Sequence, residues 1–197
     1  MDKKKFDMDY VMDMAKEMSK NNMVSYEDLP KYDLFLSQVI DYLNDKFTED
    51  KYTNNIVQNY IKNEVISRPE DGKKRGYTKL HLIQLVLLSY MRPLLTTEEI
   101  KKVFRLAFNE INDRNDDIIS WEKAYQVFSE IQMKSYNDFL DTPLFEEEKL
   151  NSIIDECNLK NNDEERIKIF LVVMSLIAQA SVIKKLVQKI VNDYHDI

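Results

Sequence analysis

Apolar residues recur every four positions at Phe6, Tyr10, Met14 and Met18, a spacing that predicts a first amphipathic helix ending near residues 20–22. A second stripe, Leu34, Phe35, Val39, Ile40, Leu43 and Phe47, predicts a helix that opens near Pro30, a residue suited to a first turn. Thr53 then caps a short third helix. Its inward stripe is Ile56, Val57, Tyr60 and Ile61, so Asn54, Asn55, Gln58, Asn59 and Lys62 point outward. Val65 and Ile66 lead away from it, and Pro69 stops any continuation. Residues 79–91, capped by Thr78, are apolar nearly all round, which predicts a buried helix that breaks before Pro93. Thr96 and Glu99 stand in capping-box spacing ahead of Ile100, Val103, Phe104, Ala107 and Ile111.

The polar stretch 112–117 predicts a boundary. Beyond it Ser120 caps a helix carrying Trp121, Ala124, Tyr125, Phe128 and Ile131, and Thr142 with Pro143 opens another that reaches Cys157. The last helix spans about residues 163–193. Ile169, Val173, Leu176, Ala180, Ile183, Val187, Ile190 and Tyr194 follow the alternating 4,3 spacing of a coiled-coil seam. Phe170, Val172, Ile177 and Leu186 widen the stripe to what a helical bundle uses, so the expectation is an intramolecular core helix, with a dimer interface as the alternative.

Two glycines and four prolines in 197 residues leave little turn punctuation, and 44% hydrophobic with 32% charged residues suits a folded chain. The expected class is all-α. The single cysteine, Cys157, excludes an internal disulfide and a cysteine-rich zinc site, and the N-terminal residues lack the apolar run of a signal peptide. A cytoplasmic protein is expected. The longest uncharged run, residues 169–183, falls short of the ~20 apolar residues of a membrane span, so no membrane is expected as a partner.

Catalytic chemistry finds no foothold. His81 and His195 lie far apart without a metal-ligand pattern, and no phosphate-cradling glycine motif occurs. Asp113, Asn115 and Asp117 begin like a calcium loop, but Ile118 stands where glycine is needed and Ala124 where glutamate is. The acidic runs 146–148 and 163–165 sit in first turns, where they complement the helix dipole. No enzyme, metal or cofactor is expected.

Net charge is −7, which speaks against nucleic acid until its distribution is considered. Residues 51–79 hold seven Lys/Arg against three acids, a local +4 that leaves −11 for the remainder. Both glycines, Gly72 and Gly76, fall inside that segment and bracket Lys73, Lys74 and Arg75 in "RPEDGKKRGYTK". Glycine serves where backbone must take positive φ or approach other backbone closely. A short helix with an amide face beside a basic loop suits duplex DNA. Asn and Gln match the donor and acceptor pair of adenine in the major groove, Lys matches guanine, and a basic loop tracks phosphates. The candidate DNA-binding set is therefore Asn54, Asn55, Gln58, Asn59 and Lys62 on the helix, with Arg68, Lys73, Lys74, Arg75 and Tyr77 in the loop.

The runs "YTNNIVQNYIKNEVISRP" and "GYTKLHLIQLVLLSYMRPLLTTEEI" look like the bacterial family catalogued as domain of unknown function 1836, over roughly residues 29–112. The same residues are similar to the MerR-type winged helix-turn-helix. Thr53 matches its cap, Tyr60 the recognition-helix aromatic, Val65 and Ile66 the apolar pair, Pro69 the proline, and Tyr77 with Thr78 the end of the wing. Gln58 stands where such proteins commonly carry arginine, and Glu64 where they carry glycine. The resemblance implies a non-enzymatic transcriptional regulator binding double-stranded DNA as a homodimer, with no effector named. It implies a MerR-like unit with a short wing (29–112); an N-terminal helix (1–28) and an additional helical bundle (113–197) complete the expected organisation. The alternative is a protein-interaction module that keeps the winged-helix scaffold without DNA binding. Net charge −7 and Glu64 favour that alternative. Either way, the spacing predicts that the five polar residues of the third helix share one solvent-exposed side.

Overall fold

The computed structural model of the chain describes residues 7–21, 23–69, 75–142, 147–156 and 161–194. These residues form eight helices and no strand, so the chain is all-α: α1 (Met8–Asn21), α2 (Leu36–Lys46), α3 (Asn54–Lys62), α4 (Lys79–Met91), α5 (Thr97–Arg105), α6 (Trp121–Asp141), α7 (Glu147–Glu156) and α8 (Asn161–Tyr194). α2 starts later than expected. Ser25 and Asp28 cap each other's backbone N–H groups at 3.4 and 3.2 Å, which makes a turn of the residues before Pro30. The Gln38 side chain then accepts from the Phe35 N–H at 3.0 Å, fixing the start of the helix at Leu36. α5 ends at Arg105, short of Ile111. Pro143 and Cys157, which were to bracket the seventh helix, lie outside the described residues.

Contacts divide the chain into two compact units: Met1–Lys20 with Lys134–Val187, and Asn21–Met133 with Gln188–Ile197. The second is built around α4. Nine of its thirteen residues are buried, because it is apolar on every face and must be covered on every face. Val39 and Leu43 of α2, Val57 of α3, Val65, Ile66, and Ile100 and Phe104 of α5 complete this core. Trp121 stacks on Phe108 with ring centroids 3.5 Å apart and meets the edge of Phe104 at 5.1 Å. The Tyr125 hydroxyl donates to the Val24 carbonyl at 2.6 Å, and its pKa is raised, chiefly by burial. The end of α8 closes the unit: Val191 is buried, Gln188 donates to Glu99 at 3.2 Å and Lys102 donates to Asn192 at 3.0 Å.

The connection from α5 to α6 caps itself. Asp113 accepts from the Asn115 backbone and side chain at 2.9 and 3.0 Å, Asp116 accepts from the Glu110 N–H, and Asn109 donates to the Asp116 carbonyl. These acids serve the donors of their own loop.

Among the described residues, the other unit has a much smaller core: Leu150, Ile154 and Val172, with Met8, Leu171 and Leu176 packed against them. α1 forms as the spacing predicts but has no fully buried residue: Tyr10, Met14 and Met18 are exposed, and Met8, Val11, Met12 and Ala15 are half-buried. α8 departs further from expectation. Ile169, Phe170, Val173, Met174, Ile177, Val182, Ile183 and Leu186 are all exposed. By length and composition alone α8 contains a segment apolar enough to cross a membrane, and 6% of that segment is buried. A core helix needs neighbours on several sides, and the described parts of this unit cover α8 only near Val172.

One half-exposed carboxyl with a single buried oxygen makes the second unit sensitive to pH. Asp117 Oδ1 is buried without a hydrogen-bond partner among the described residues, and its carboxyl pKa is raised by burial first and by Asp116 second. A raised folded-state pKa means that the charged form costs stability, and that cost grows as pH rises through the folded pKa. Asp117→Asn is expected to raise the melting temperature at pH 7. The gain should vanish below the unfolded-state value of about 3.9, where the parent carboxyl is protonated in both states. Calorimetry at pH 3 and pH 7 checks this, and an unchanged or lowered melting temperature at pH 7 counts against it.

Candidate nucleic-acid interface

The sequence of α3 sorts cleanly around its axis. At about 100° per residue, Asn54, Asn55, Gln58, Asn59 and Lys62 fall within an arc of about 140°, and Ile56, Val57, Tyr60 and Ile61 fill the opposite one. Thr53 Oγ1 caps the helix by accepting from the Ile56 N–H at 3.3 Å. All five polar residues are exposed, while Val57 is fully buried and the other three apolar residues are half-buried. Two of the five have partners on the protein surface: Gln58 donates to the Tyr77 hydroxyl at 3.4 Å, and Asn59 accepts from the Asn63 side chain at 3.0 Å.

The helix ends in a paired closure. The Val65 N–H reaches the Tyr60 carbonyl at 2.9 Å and the Glu64 N–H reaches Ile61 at 3.0 Å, the bond pair of a Schellman motif. Its left-handed position is Glu64, with φ 55°, where glycine would be unstrained. Val65 and Ile66 then plunge into the core, both fully buried.

Anchors on both sides of α3 come from α4. Ahead of the helix, the Tyr52 hydroxyl bonds Ser89 Oγ at 2.9 Å, Asn44 pairs with both backbone groups of Tyr52 at 2.6 and 3.0 Å, and the Arg92 guanidinium lies 4.3 Å over the ring. Burial raises the Tyr52 pKa, and the Ser89 bond opposes it. Behind the helix, Gln84 accepts from the Ser67 N–H at 2.9 Å and donates to Ser67 Oγ at 2.7 Å, while Ser67 Oγ donates to the Ile111 carbonyl at 2.8 Å. Arg68 follows, with its N–H on Asn112 at 3.0 Å and its carbonyl facing His81 Nε2 at 3.2 Å. Sequence reasoning missed Asn44, Gln84 and Ser89. Polar residues inside an otherwise apolar helix were the available signal.

The basic segment is only partly placed. Arg68 is exposed and pairs with Glu64 at 3.4 Å, the Arg75 guanidinium lies 5.1 Å over the Phe35 ring, and Lys73 and Lys74 lie outside the described residues. Tyr77 corrects the sequence reading. It is 5% exposed and joins Leu34 in an isolated antiparallel bridge, with N–H to carbonyl distances of 2.8 and 3.3 Å. Its ring lies edge-on to His81 at 5.5 Å, so it packs the interior instead of presenting a surface. Burial raises its hydroxyl pKa against the opposing effect of the Gln58 bond.

Comparison with known proteins bears on the second unit. The family model of the domain of unknown function (DUF1836) matches residues 24–128, more than half the chain. The uncharacterized protein YkrK of Bacillus subtilis (strain 168) is 29% identical over 103 residues, covering 51% of this chain and 42% of its own length. The chain thus matches less than half of that relative. No solved structure matches.

Glu64 offers a direct test of the helix closure. Glu64→Gly relieves a left-handed backbone that costs about 1–2 kcal/mol, against about 0.4–1 kcal/mol of added freedom in the unfolded chain. It also removes an exposed ion pair of small value. Urea unfolding is expected to show a net gain of about 0.5 kcal/mol. A loss of 1 kcal/mol or more would mean that the Glu64 side chain does more than its backbone costs.

Proposed function

The chain belongs to the DUF1836 family, and we propose that residues 29–112 form a MerR-like winged helix-turn-helix unit that reads double-stranded DNA. The protein would act as a homodimeric, non-enzymatic transcriptional regulator in the cytoplasm. The observation that carries this reading is α3: an exposed arc of amides and one lysine on a short helix whose flanks are both tied to buried polar groups of α4. In this reading α2 is the first helix of the motif and α3 the recognition helix. The Leu34–Tyr77 bridge supports it, since it pairs the segment entering α2 with the segment leaving the basic loop. Asn54, Asn55, Gln58, Asn59 and Lys62 face base edges; the exposed Asn63 partner of Asn59 exchanges for DNA at small cost, while Gln58 also bonds the hydroxyl of the buried Tyr77. Arg68 and Arg75, with Lys73 and Lys74 from the sequence, track phosphates.

A second reading, a protein-interaction module on the same scaffold, is favoured by the Arg68–Glu64 pair, which occupies a cation the DNA reading needs. Salt dependence separates the two. Two wings carrying Lys73, Lys74 and Arg75 neutralise ~6 phosphates, so log K against log salt should fall with a slope of about −5. Duplexes selected from a random library at low salt supply the ligand. Alanine at all three positions should flatten the slope, while Asn55→Ala should alter sequence preference and keep it. If the parent enriches no sequence, the interaction module stands in its place.

A two-fold reader places its recognition helices about 34–36 Å apart or a multiple of that, and the exposed stripe of α8 is the surface proposed to pair the copies. Val173→Glu with Ile183→Glu, both exposed in the single chain, should leave its helicity intact and shift it from dimer to monomer in light scattering at micromolar concentration. A parent that is monomeric there removes the homodimer from the proposal.

A further inference from the structure

We infer that His81 is a positioning residue for the chain leaving α3: as a neutral imidazole protonated on Nε2, it ties Arg68 to Thr78 and so sets where Arg68, past the end of α3, and Arg75, over the Phe35 ring, stand. The consequence for DNA rests on the function proposed above, whereas the clasp itself does not. His81 is 3% exposed and lies at the third position of α4. Its Nδ1 faces the Thr78 N–H at 3.1 Å and Thr78 Oγ1 at 3.0 Å, and its Nε2 faces the Arg68 carbonyl at 3.2 Å. A backbone N–H only donates and a carbonyl only accepts. A proton on Nε2 and a lone pair on Nδ1 therefore satisfy both neighbours at once. The other tautomer sets N–H against N–H and a lone pair against the carbonyl oxygen, and an imidazolium still opposes the Thr78 N–H.

Residue type is informative here. A capping box ordinarily uses Glu or Gln at this position. Glutamate would accept from Thr78 but has no donor for the Arg68 carbonyl. Three residues further along α4, Gln84 meets Ser67 in the same manner, with an acceptor for its N–H and a donor for its hydroxyl. Consecutive residues leaving α3 are thus each held by a side chain that can both donate and accept. Through His81 the hold extends past the basic segment to Thr78, adjacent to the Tyr77 bridge.

The test uses the full chain, labelled with nitrogen-15, and four forms: parent, His81→Gln, His81→Glu and His81→Leu. Without DNA, the imidazole nitrogen spectrum of the parent at pH 7 should show a bare Nδ1 and a protonated Nε2, with His195→Gln used to assign it. Backbone order at Arg68, Arg75 and Gly76 should be parental in His81→Gln, which carries both a donor and an acceptor. It should fall in His81→Glu, which keeps only the cap, and in His81→Leu. Dissociation constants for a selected duplex should stay within about threefold of the parent for His81→Gln and weaken about tenfold for His81→Glu, the equivalent of one lost hydrogen bond. Circular dichroism reports whether each form folds. Should His81→Leu not fold, the Gln and Glu pair still decides. A proton on Nδ1 at pH 7, or parental order in a folded His81→Glu, overturns the clasp. The expected tautomer and order pattern with no duplex bound by any form upholds the clasp and overturns the DNA reading alone.

Discussion

A polar side chain on a helix buried on every side must find a partner, and α4 carries three: His81, Gln84 and Ser89, the last of which also donates to the Leu85 carbonyl of its own helix at 2.8 Å. Each receives a stretch of chain adjoining α3. Ser89 takes Tyr52, one residue before the cap of α3; Gln84 takes Ser67; His81 takes Arg68 and Thr78. An unpaired buried group costs about 1–3 kcal/mol, so a shift of these flanks would leave such a cost at Gln84 and at His81 together. The location of α3 follows from the solvation needs of α4, more than from the single fully buried side chain, Val57, that α3 places in the core. This lets its outer face vary in sequence without disturbing where it sits.

The two compact units differ in how well they meet the same requirement. Around α4, aromatic rings interlock through Trp121, Phe108 and Phe104, and Tyr125 reaches back to Val24. The family match, residues 24–128, falls wholly within that unit. Among the described residues of the other unit, three buried side chains support three helices and part of α6, and most apolar residues of α8 face outward. A core that small contributes little against the entropy of ordering its helices, so that unit should open more readily than its neighbour.

Periodicity made the faces of α3 legible, and the caps at Thr53 and Thr96 stand where threonine with the right spacing placed them. Glu64 was legible as a departure from glycine, and it does occupy the left-handed position. What periodicity cannot report is coverage. The wide stripe of α8 favours a core helix over a dimer interface when read by periodicity, yet an apolar stripe records only what would be favourable to cover. Tyr77 was misassigned for a related reason: adjacency to basic residues suggested surface, whereas the backbone pairing with Leu34 turns its ring inward. The start of α2 depended on hydrogen bonds by Asp28 and Gln38 that compete with helix formation at Pro30. Local pattern carries no marker of which competitor wins.

The closing turn of α8 has a consequence for synthesis. Gln188 and Asn192 hold Glu99 and Lys102 across sequence separations of 89 and 90 residues. On a ribosome adding about 5–20 residues per second, α5 emerges several seconds before these partners exist. During that interval the nascent chain holds α2 to α5 with one flank of α5 still in water, and such long-range closures come late in any folding route. An order of assembly is therefore written into the topology: the part bearing α3 can form first, and its final seal must wait for the far end of the longest helix.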